Sequence, residues 1–259
     1  MVAQQLIDIC VYANQKDTQA QDLAIRLGIP LTNNMPNSGL VLAYHDQALH
    51  ILPADGRSGG VGVDFAVGKS RHRRLYGGGK GQQIAKAIGV RGTIRPCVLD
   101  ATAGLGGDAF VLAGLGCFVY LAERQPVVRA LLADGLTRLH EADELADLAH
   151  HMQLLSGDAL SVMQAWQQIE PPQVVYLDPM FPHLGKTAKV KKEMALFREL
   201  VGPDEDADQL LAPAIALATH RVVVKRPRLA PDLAAQKPTY RLQGKANRYD
   251  VYVKASFNN

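Results

Sequence analysis

The segment Asp178-Pro179-Met180-Phe181 has the residue types needed to hold a planar amino group. The Asp178 carboxylate and the Pro179 backbone carbonyl can each accept one amino hydrogen, and Phe181 can stack on the plane of a base. Held in this way, the nitrogen can direct its lone pair at a methyl donor, so transfer follows largely from positioning. Because alkylation makes the nitrogen proton acidic, Asp178 is needed mainly to orient the amine and only secondarily to accept a proton.

This segment is close to the Asp-Pro-Pro-Tyr/Phe motif that is typical of methyltransferases acting on amino groups. It follows the apolar run Val174 to Leu177, which predicts a buried strand and places Asp178 at its carboxyl end. Met180 takes the place of the more common second proline. The same motif serves adenine in DNA and glutamine in proteins, so both stay open as alternative substrates.

A glycine-rich turn follows an earlier apolar strand in the stretch DATAGLGGDAF, residues 100–110. Asp100 ends the strand, and Gly104, Gly106 and Gly107 open the next helix, so the backbone can approach a ligand closely at the carboxyl edge of a parallel sheet. The same stretch satisfies the GxGxxA pattern of dinucleotide-binding turns. An NAD(P)-dependent oxidoreductase and a purely structural turn are therefore alternatives.

Carboxylates follow the ends of four successive predicted strands: Asp100, Glu123, Asp158 and Asp178. Glu123 can accept hydrogen bonds from the ribose hydroxyls of a nucleoside cofactor, and Asp158 can accept the adenine amino hydrogens or cap the helix that follows it. Carboxylates at one sheet edge repel a pyrophosphate and favour a cationic ligand that carries hydroxyl groups. This pattern predicts S-adenosyl-L-methionine as the cofactor rather than NAD(P).

The pattern of predicted strands and helices that must position these residues changes near Arg95. From there on, apolar strands alternate with helices, one of them over 188–201, which predicts a doubly wound α/β sheet; the last strand, RYDVYVKA, suits an antiparallel edge. Before Arg95, short strands, a helix over 19–28 and a hairpin over 40–52 predict a small α+β subdomain. We expect an N-terminal subdomain over 1–94, engaged in substrate recognition, and a catalytic domain over 95–259.

The composition is that of an ordinary folded protein, since 47% of the 259 residues are apolar and 20% are charged. The N-terminus lacks the pattern of a secretory leader, and no segment approaches the roughly 18 apolar residues of a membrane span, so we expect a cytoplasmic protein without a membrane partner. Cys10, Cys97 and Cys117 lie in apolar runs without metal-ligand spacing, and we expect no metal site.

The net charge is only +3, but the charges are unevenly distributed. The stretch 65–99 carries basic residues and no acid, whereas acids gather at 141–147 and 204–208, which predicts a basic surface for a polyanion and a separate acidic surface. The residues predicted to contact RNA phosphates are Arg71, Arg73, Arg74, Lys80, Lys186, Lys189, Lys225 and Arg226. A non-catalytic RNA-binding protein on the same scaffold is a further alternative.

Together these motifs resemble the bacterial RsmJ (YhiQ-type) 16S rRNA (guanine(1516)-N(2))-methyltransferases. The matching stretches are VDF at 63–65, HRRLYGGGKG at 72–81, DATAGLGGDAFVLA at 100–113, VVYLDPMFPH at 174–183, VKKEM at 190–194, LVGPDEDAD at 200–208 and RVVVKRP at 221–227. The resemblance implies a Rossmann-like class I methyltransferase, with a mostly parallel seven-stranded sheet and an antiparallel edge. It also implies guanine N2 as the acceptor, in 16S rRNA or the small ribosomal subunit.

In the family that the chain resembles, the cofactor is held by two residues after the glycine turn, by two residues after each of the second and third strands of the α/β sheet, and by the aspartate of the motif. These positions correspond to Gly107-Asp108, Glu123-Arg124, Asp158-Ala159 and Asp178. Gly107 stands where arginine is common, and Asp158-Ala159 stands where small hydroxyl residues are common. These departures affect the individual contacts and not the fold.

Overall fold

The computed structural model describes residues 8–56, 60–66, 82–180, 200, 204 and 206–257. The chain divides into two compact units, of which the first comprises Met1–Val63 and Leu184–Gly202 and the second comprises Asp64–His183 and Pro203–Asn259. Among the described residues, each unit contains one β-sheet. The helix predicted over 188–201 lies outside the described residues, apart from residue 200.

The first unit contains a five-stranded sheet and helix α1 (Thr18–Leu27) among its described residues. The strands are β1 (Ile9–Tyr12), β2 (Leu31–Thr32), β3 (Leu40–His45), β4 (Ala48–Pro53) and β5 (Val61–Gly62), in the order β2-β1-β3-β4-β5. Helix α1 packs on β1; Asp17 begins it by accepting a hydrogen bond from the Ala20 backbone N–H at 3.0 Å. Strands β3 and β4 confirm the hairpin predicted over 40–52.

The second unit contains a seven-stranded sheet. Its strands are β6 (Val98–Asp100), β7 (Val119–Leu121), β8 (Met152–Leu154), β9 (Val174–Leu177), β10 (Arg221–Pro227), β11 (Tyr240–Gln243) and β12 (Asn247–Val253). Their order is β11-β12-β10-β9-β6-β7-β8. Strands β10, β9, β6, β7 and β8 pair in parallel, whereas β12 is antiparallel to both of its neighbours. The predicted mostly parallel α/β sheet is confirmed.

Helices follow most of the parallel strands of the second unit. They are α2 (Gln83–Ile88), α3 (Gly107–Gly114), α4 (Pro126–Glu141), α5 (Ala146–Ala149), α6 (Ala159–Gln164) and α7 (Leu211–Leu217), with short 3-10 turns at Asp143–Leu145, Ala207–Leu210 and Leu233–Ala235. In the part of the chain that the structure describes, no helix combines the length and the apolar character needed to cross a membrane.

The central strand β9 shows why the parallel strands read as unbroken apolar runs. All four of its residues are buried, because the sheet is covered on both faces. Val175 and Leu177 belong to a core cluster that Leu211 of α7 helps to complete. Tyr176 points to the opposite face, where its hydroxyl donates a hydrogen bond to Asp108 of α3 at 2.7 Å.

The antiparallel edge of this sheet is a hairpin of two strands. The sequence pattern indicates only β12, which lies one strand inside the edge, and its residues from Arg248 to Tyr252 are buried. The outermost strand, β11, has the sequence YRLQ and is largely exposed. Its alternation of apolar and polar residues is only four residues long and lacks a buried apolar run, which explains why β11 was not predicted from the sequence.

The second unit begins at Asp64, ahead of the boundary predicted at residue 94. Phe65 is buried and stacks on Phe110 of α3 with 4.9 Å between the ring centroids, and α2 packs on β10 and β12. Residues 64–66 and 82–94 therefore pack with the larger sheet. A role of residues 1–94 in substrate recognition remains a prediction.

We expect the turn that starts α3 to require glycine at position 106. Gly106 has a φ of +75°, and a Cβ there would lie 2.8 Å from Leu132 Cδ1 and 3.1 Å from Phe65 Cζ. Gly106→Ala should lower the free energy of unfolding by about 1–3 kcal/mol, because alanine is strained in the left-handed region and crowds both neighbours. Urea unfolding followed by circular dichroism measures this loss.

Gly107→Ala is the matched control, since a Cβ at Gly107 has no neighbour within 4 Å. Alanine also favours the helix that begins at this residue, so the variant should stay within about 1 kcal/mol of the parent protein or gain slightly. Equal losses in the two variants would show that the turn does not depend on the conformation of Gly106.

Candidate active site

The four carboxylates that follow the parallel strands lie at one edge of the sheet. Strands β8, β7, β6 and β9 are neighbours in that order, and all four run in the same direction. The carboxyl ends of these strands therefore bring Asp158, Glu123, Asp100 and Asp178 to the same edge, as the sequence predicts. This is the edge at which open α/β sheets bind their ligands.

The glycine-rich turn runs from the end of β6 to the start of α3 along this edge. Gly104 and Gly106 have positive φ angles of 54° and 75°, which L side chains rarely adopt. The Gly104 backbone N–H donates to Glu123 Oε2 at 2.8 Å, so the turn is tied to the end of β7. Gly107, which was predicted as part of the turn, is the first residue of α3 and faces open space.

Glu123 connects the turn to the start of the next helix. Its Oε1 accepts a hydrogen bond from the Gln125 backbone N–H at 2.8 Å, while its Oε2 is held by Gly104. Burial raises the pKa of Glu123, although these two backbone donors oppose the rise. An ionised carboxylate has about four lone-pair sites, so Glu123 retains the capacity to accept further hydrogen bonds from ribose hydroxyls.

Asp100 is the most deeply placed carboxylate of the four, with 2% of its surface exposed. Burial raises its pKa well above the usual range, and the nearby carboxylates of Asp108 and Asp178 raise it further. A positive charge at this edge would offset that repulsion. The carboxylates at this edge therefore suit a cationic cofactor and not a pyrophosphate. S-adenosylmethionine is such a cofactor, because its sulfonium group is positively charged.

Asp178 is held at the end of β9 through its backbone and its side chain. Its backbone N–H donates to Thr102 Oγ1 at 2.6 Å, and its Oδ2 accepts a hydrogen bond from Lys225 Nζ at 2.7 Å. The side chain is 37% exposed, whereas Pro179 is buried. Thr102 lies in the turn that follows β6, 76 residues before Asp178 in the chain, so no local pattern in the sequence indicates this contact.

Asp204 holds Met180, the residue that follows Asp178-Pro179. Met180 donates its backbone N–H to Asp204 Oδ2 at 2.6 Å, and the Asp204 backbone N–H donates to the Met180 carbonyl at 3.1 Å. Arg124 forms ion pairs with Asp204 and, at 2.8 Å, with Asp206. The acidic run over 204–208 was predicted as part of a separate acidic surface, but two of its members structure the candidate site. The Arg124 side chain is engaged in this network.

Asp158 caps helix α6. Its Oδ1 accepts a hydrogen bond from the Ser161 backbone N–H at 2.9 Å, and its Oδ2 accepts one from the Ser161 hydroxyl at 2.7 Å. These hydrogen bonds from Ser161 lower the pKa of Asp158. Of the two roles open to Asp158 in the sequence, the helix cap is the one that the structure displays, and an adenine contact by Asp158-Ala159 remains a prediction.

Two of the residues predicted to contact RNA phosphates, Lys225 and Arg226, lie in the described part of the chain. The side chains of both make hydrogen bonds within the protein. Lys225 Nζ lies between Asp178 and Asp108, at 2.7 and 2.9 Å from their Oδ2 atoms. Arg226 is 4% exposed and donates two hydrogen bonds to the Pro231 carbonyl, at 3.2 and 3.0 Å. A guanidinium that is buried and bonded within the protein does not fit the predicted phosphate contact.

The remaining predicted contacts lie outside the described residues. They are Phe181, Arg71, Arg73, Arg74, Lys80, Lys186 and Lys189. As for metal, no group of three or more histidine, cysteine or acidic side chains within the described ranges is arranged to hold an ion.

We expect Asp100 to make the protein without cofactor less stable as the pH rises. Because its pKa is raised in the folded state, the folded chain keeps a proton that the unfolded chain loses once the pH passes the ordinary aspartate value. The free energy of unfolding therefore decreases as the pH rises from the ordinary aspartate pKa to the raised pKa of Asp100. In Asp100→Asn this decrease should be smaller, so the variant should be more stable than the parent protein at neutral pH. Urea unfolding from pH 4 to pH 8 gives the comparison, with the exposed Asp147→Asn as control. Parallel curves for parent and Asp100→Asn would contradict this account.

Comparisons with known proteins agree on the class of this site. A family model described as "Putative SAM-dependent methyltransferase" matches residues 23–254. Ribosomal RNA small subunit methyltransferase J of Pseudomonas fluorescens (strain SBW25) is 56% identical over 236 residues, which cover 91% of this chain and 90% of that protein. The protein of the same name from Pseudomonas aeruginosa (strain LESB58) is likewise 56% identical over 236 residues. The crystal structure of a SAM-dependent methyltransferase from Neisseria gonorrhoeae is 37% identical, with a TM-score of 0.74 and 95% of each chain covered.

These similarities decide between the two cofactors that the glycine turn admits. The family model includes both the turn at 104–107 and the segment at 178–181, so the GxGxxA pattern belongs to a site for S-adenosylmethionine and not for NAD(P). The fold of the second unit is accordingly the Rossmann-like class I methyltransferase fold. This chain therefore belongs to the family of SAM-dependent methyltransferases that includes the ribosomal RNA small subunit methyltransferase J proteins.

Proposed function

We propose that this protein methylates the N2 amino group of a guanine in 16S rRNA, with the rRNA presented alone or in the small ribosomal subunit. The observation that carries the chemistry is Asp178, a carboxylate fixed by Thr102 and Lys225 at the end of β9, beside the glycine turn. The rRNA substrate is supported by relatives that are 56% identical and are named for methylation of small-subunit ribosomal RNA. The choice of guanine N2 rests on the resemblance of the motifs.

The acidic edge supplies the groups that would hold the cofactor. We assign Glu123 to the ribose hydroxyls, Asp158-Ala159 to the adenine, and the start of α3 at Gly107-Asp108 to the methionine end. Asp100, Gly104 and Gly106 shape the turn, and a cation bound here would offset the repulsion among the carboxylates of Asp100, Asp108 and Asp178. The cofactor contributes an electrophilic methyl group when it is bound.

The motif segment would position the acceptor. Asp178 and the Pro179 carbonyl accept the two amino hydrogens, and Phe181 stacks on the guanine. This arrangement aligns the nitrogen lone pair, and the negative charge of Asp178 stabilises the positive charge that develops on the nitrogen. A guanine in a folded RNA must leave its stack to reach this position, so the substrate is deformed on binding.

The basic segments at 69–80 and 186–192 would bind RNA phosphates outside the site. The substrate-recognition role predicted for residues 1–94 is assigned to the first unit, and the catalytic role predicted for 95–259 is assigned to the second unit, which begins at Asp64. An enzyme with this substrate works in the cytoplasm, where ribosomal subunits are assembled. Non-catalytic binding of RNA on the same scaffold is the competing function, and the next experiment separates the two.

The purified protein should bind S-adenosylmethionine in calorimetry and transfer a labelled methyl group to small ribosomal subunits from a strain that lacks the gene. Asp178→Asn should lower kcat by about 100-fold, because it removes the charge that stabilises the developing cation. Its affinity for S-adenosylmethionine should fall less than kcat, because Asp178 is only one of several residues assigned to hold the cofactor. Salt-sensitive RNA binding by the parent protein without any methyl transfer would overturn the proposal in favour of the non-catalytic function.

Glu123→Gln should weaken binding of S-adenosylmethionine by about tenfold or more. A hydrogen bond to a charged group contributes about 1.5–3 kcal/mol, and the amide leaves only one oxygen for the backbone donors and the ribose. Titration calorimetry measures the change, and Glu141→Gln, an exposed change on α4, serves as the control. Unchanged affinity in a correctly folded Glu123→Gln would exclude the ribose contact.

A further inference from the structure

Lys225 stands at the centre of the carboxylate cluster formed by β9, β10 and α3. Its Nζ lies 2.7 Å from Asp178 Oδ2 and 2.9 Å from Asp108 Oδ2, and the Tyr176 hydroxyl donates to the same Asp108 oxygen at 2.7 Å. The side chains of Lys225 and Asp108 are 22% and 10% exposed, so the contact between them is largely shielded from water. Burial alone would lower the pKa of Lys225, but Asp108 and Asp178 outweigh it and raise this pKa. The ammonium group is therefore charged.

This placement does not suit a phosphate contact. A phosphate that reached Lys225 would come close to Asp108 and Asp178, and these two carboxylates would repel it. The ammonium would also have to give up hydrogen bonds to two carboxylates. The geometry instead directs the charge of Lys225 at Asp178, the residue assigned to the acceptor amine.

We propose that Lys225 is a positioning residue that fixes the orientation and the ionisation of the Asp178 carboxylate. This inference rests on the proposed methyl transfer and adds a residue to it. With Oδ2 held by Lys225, rotation about the Cβ–Cγ bond of Asp178 is restricted, so the carboxylate meets the amino group in one orientation. Asp108 also holds the ammonium and itself accepts a hydrogen bond from the Tyr176 hydroxyl, which makes the contact part of a network rather than a single surface ion pair.

The reaction explains why the ionised form of Asp178 matters. The amino nitrogen uses its lone pair to form the bond to the methyl carbon as the carbon–sulfur bond breaks, and the positive charge moves to the nitrogen. The methylated nitrogen then loses one of its protons, to Asp178 or to water. An ionised Asp178 stabilises the charged nitrogen at both stages. Lys225 favours the ionised form because its positive charge offsets the repulsion from Asp108.

The titratable groups that surround this contact in the described structure come from every element packed against it. They are Asp100 on β6, Asp108 on α3, Tyr176 on β9 and Tyr249 on β12. Of the groups named here, those that remain around Asp178 after removal of Lys225 are the carboxyl groups of Asp100 and Asp108 and the phenol groups of the two tyrosines. Protonation of Asp178 should then occur at a higher pH.

The test compares Lys225→Met and Lys225→Arg with the parent protein in methyl transfer to small ribosomal subunits. We expect Lys225→Met to lower kcat by about 100-fold and to move the acid limb of the kcat profile to higher pH. The KM for the subunit should stay nearly constant. Lys225→Arg keeps the positive charge, so it should restore part of kcat and return the acid limb toward that of the parent.

Binding of RNA at several salt concentrations gives a second, independent readout. A lysine that binds phosphate contributes about 0.9 to the slope of log K against log salt, and its removal lowers the slope by that amount. We expect Lys225→Met to keep the slope of the parent protein. Lys237→Met, which removes an exposed lysine that precedes β11, is the control for the loss of one positive charge.

Each outcome counts for or against the positioning role. A lower salt slope with kcat unchanged would assign Lys225 to a phosphate and overturn the inference. A loss of kcat without a shift of the acid limb, and without rescue by arginine, would show that Lys225 only supports packing. If Lys225→Met does not fold, the milder Tyr176→Phe, which removes one hydrogen bond to Asp108, is measured by the same pH profiles, and a profile identical to that of the parent would overturn the inference. Absence of methyl transfer by the parent protein would instead refute the proposed function.

Discussion

The ion pairs of Lys225 with Asp108 and Asp178 join the ends of β9 and β10 to the start of α3. Asp100 lies close enough for these carboxylates to raise its pKa, so the edge of the sheet concentrates negative charge in a buried place. A lysine among them offsets part of that charge, which would otherwise oppose folding. The negative charge that remains favours a cation, and S-adenosylmethionine carries one at the atom that gives up the methyl group.

The other contacts of the site keep its backbone near this cluster. Glu123 binds the Gly104 N–H and so holds the glycine turn against β7, while Thr102 binds the backbone of Asp178 across β6 and β9. Asp204 holds Met180 on both its N–H and its carbonyl. A site that relies on positioning rather than on a strong base needs this rigidity, because small displacements of the amine or the methyl donor cost much of the rate.

The sequence predicted the parallel sheet and the acidic edge because both depend on local patterns. Apolar runs that end in a carboxylate, such as the one before Asp178, mark a buried strand and the group at its end. Lys225 was predicted as a phosphate contact, since its partners are 117 and 47 residues away and a lysine beside a motif looks the same in either role. The contact of Asp204 with Met180 was missed because it also joins residues that are distant in the chain, 24 residues apart. Strand β11 was missed because it is mostly exposed and its alternating pattern is only four residues long.

In the proposed function, this acidic edge positions a guanine amine of 16S rRNA for methyl transfer. Mass spectrometry of nucleosides from 16S rRNA tests it most directly, in cells that lack the gene and in the same cells complemented with the parent protein or with Asp178→Asn. N2-methylguanosine should be lost from one site without the gene, return with the parent protein and stay absent with Asp178→Asn. An unchanged amount of N2-methylguanosine in cells without the gene would contradict the account.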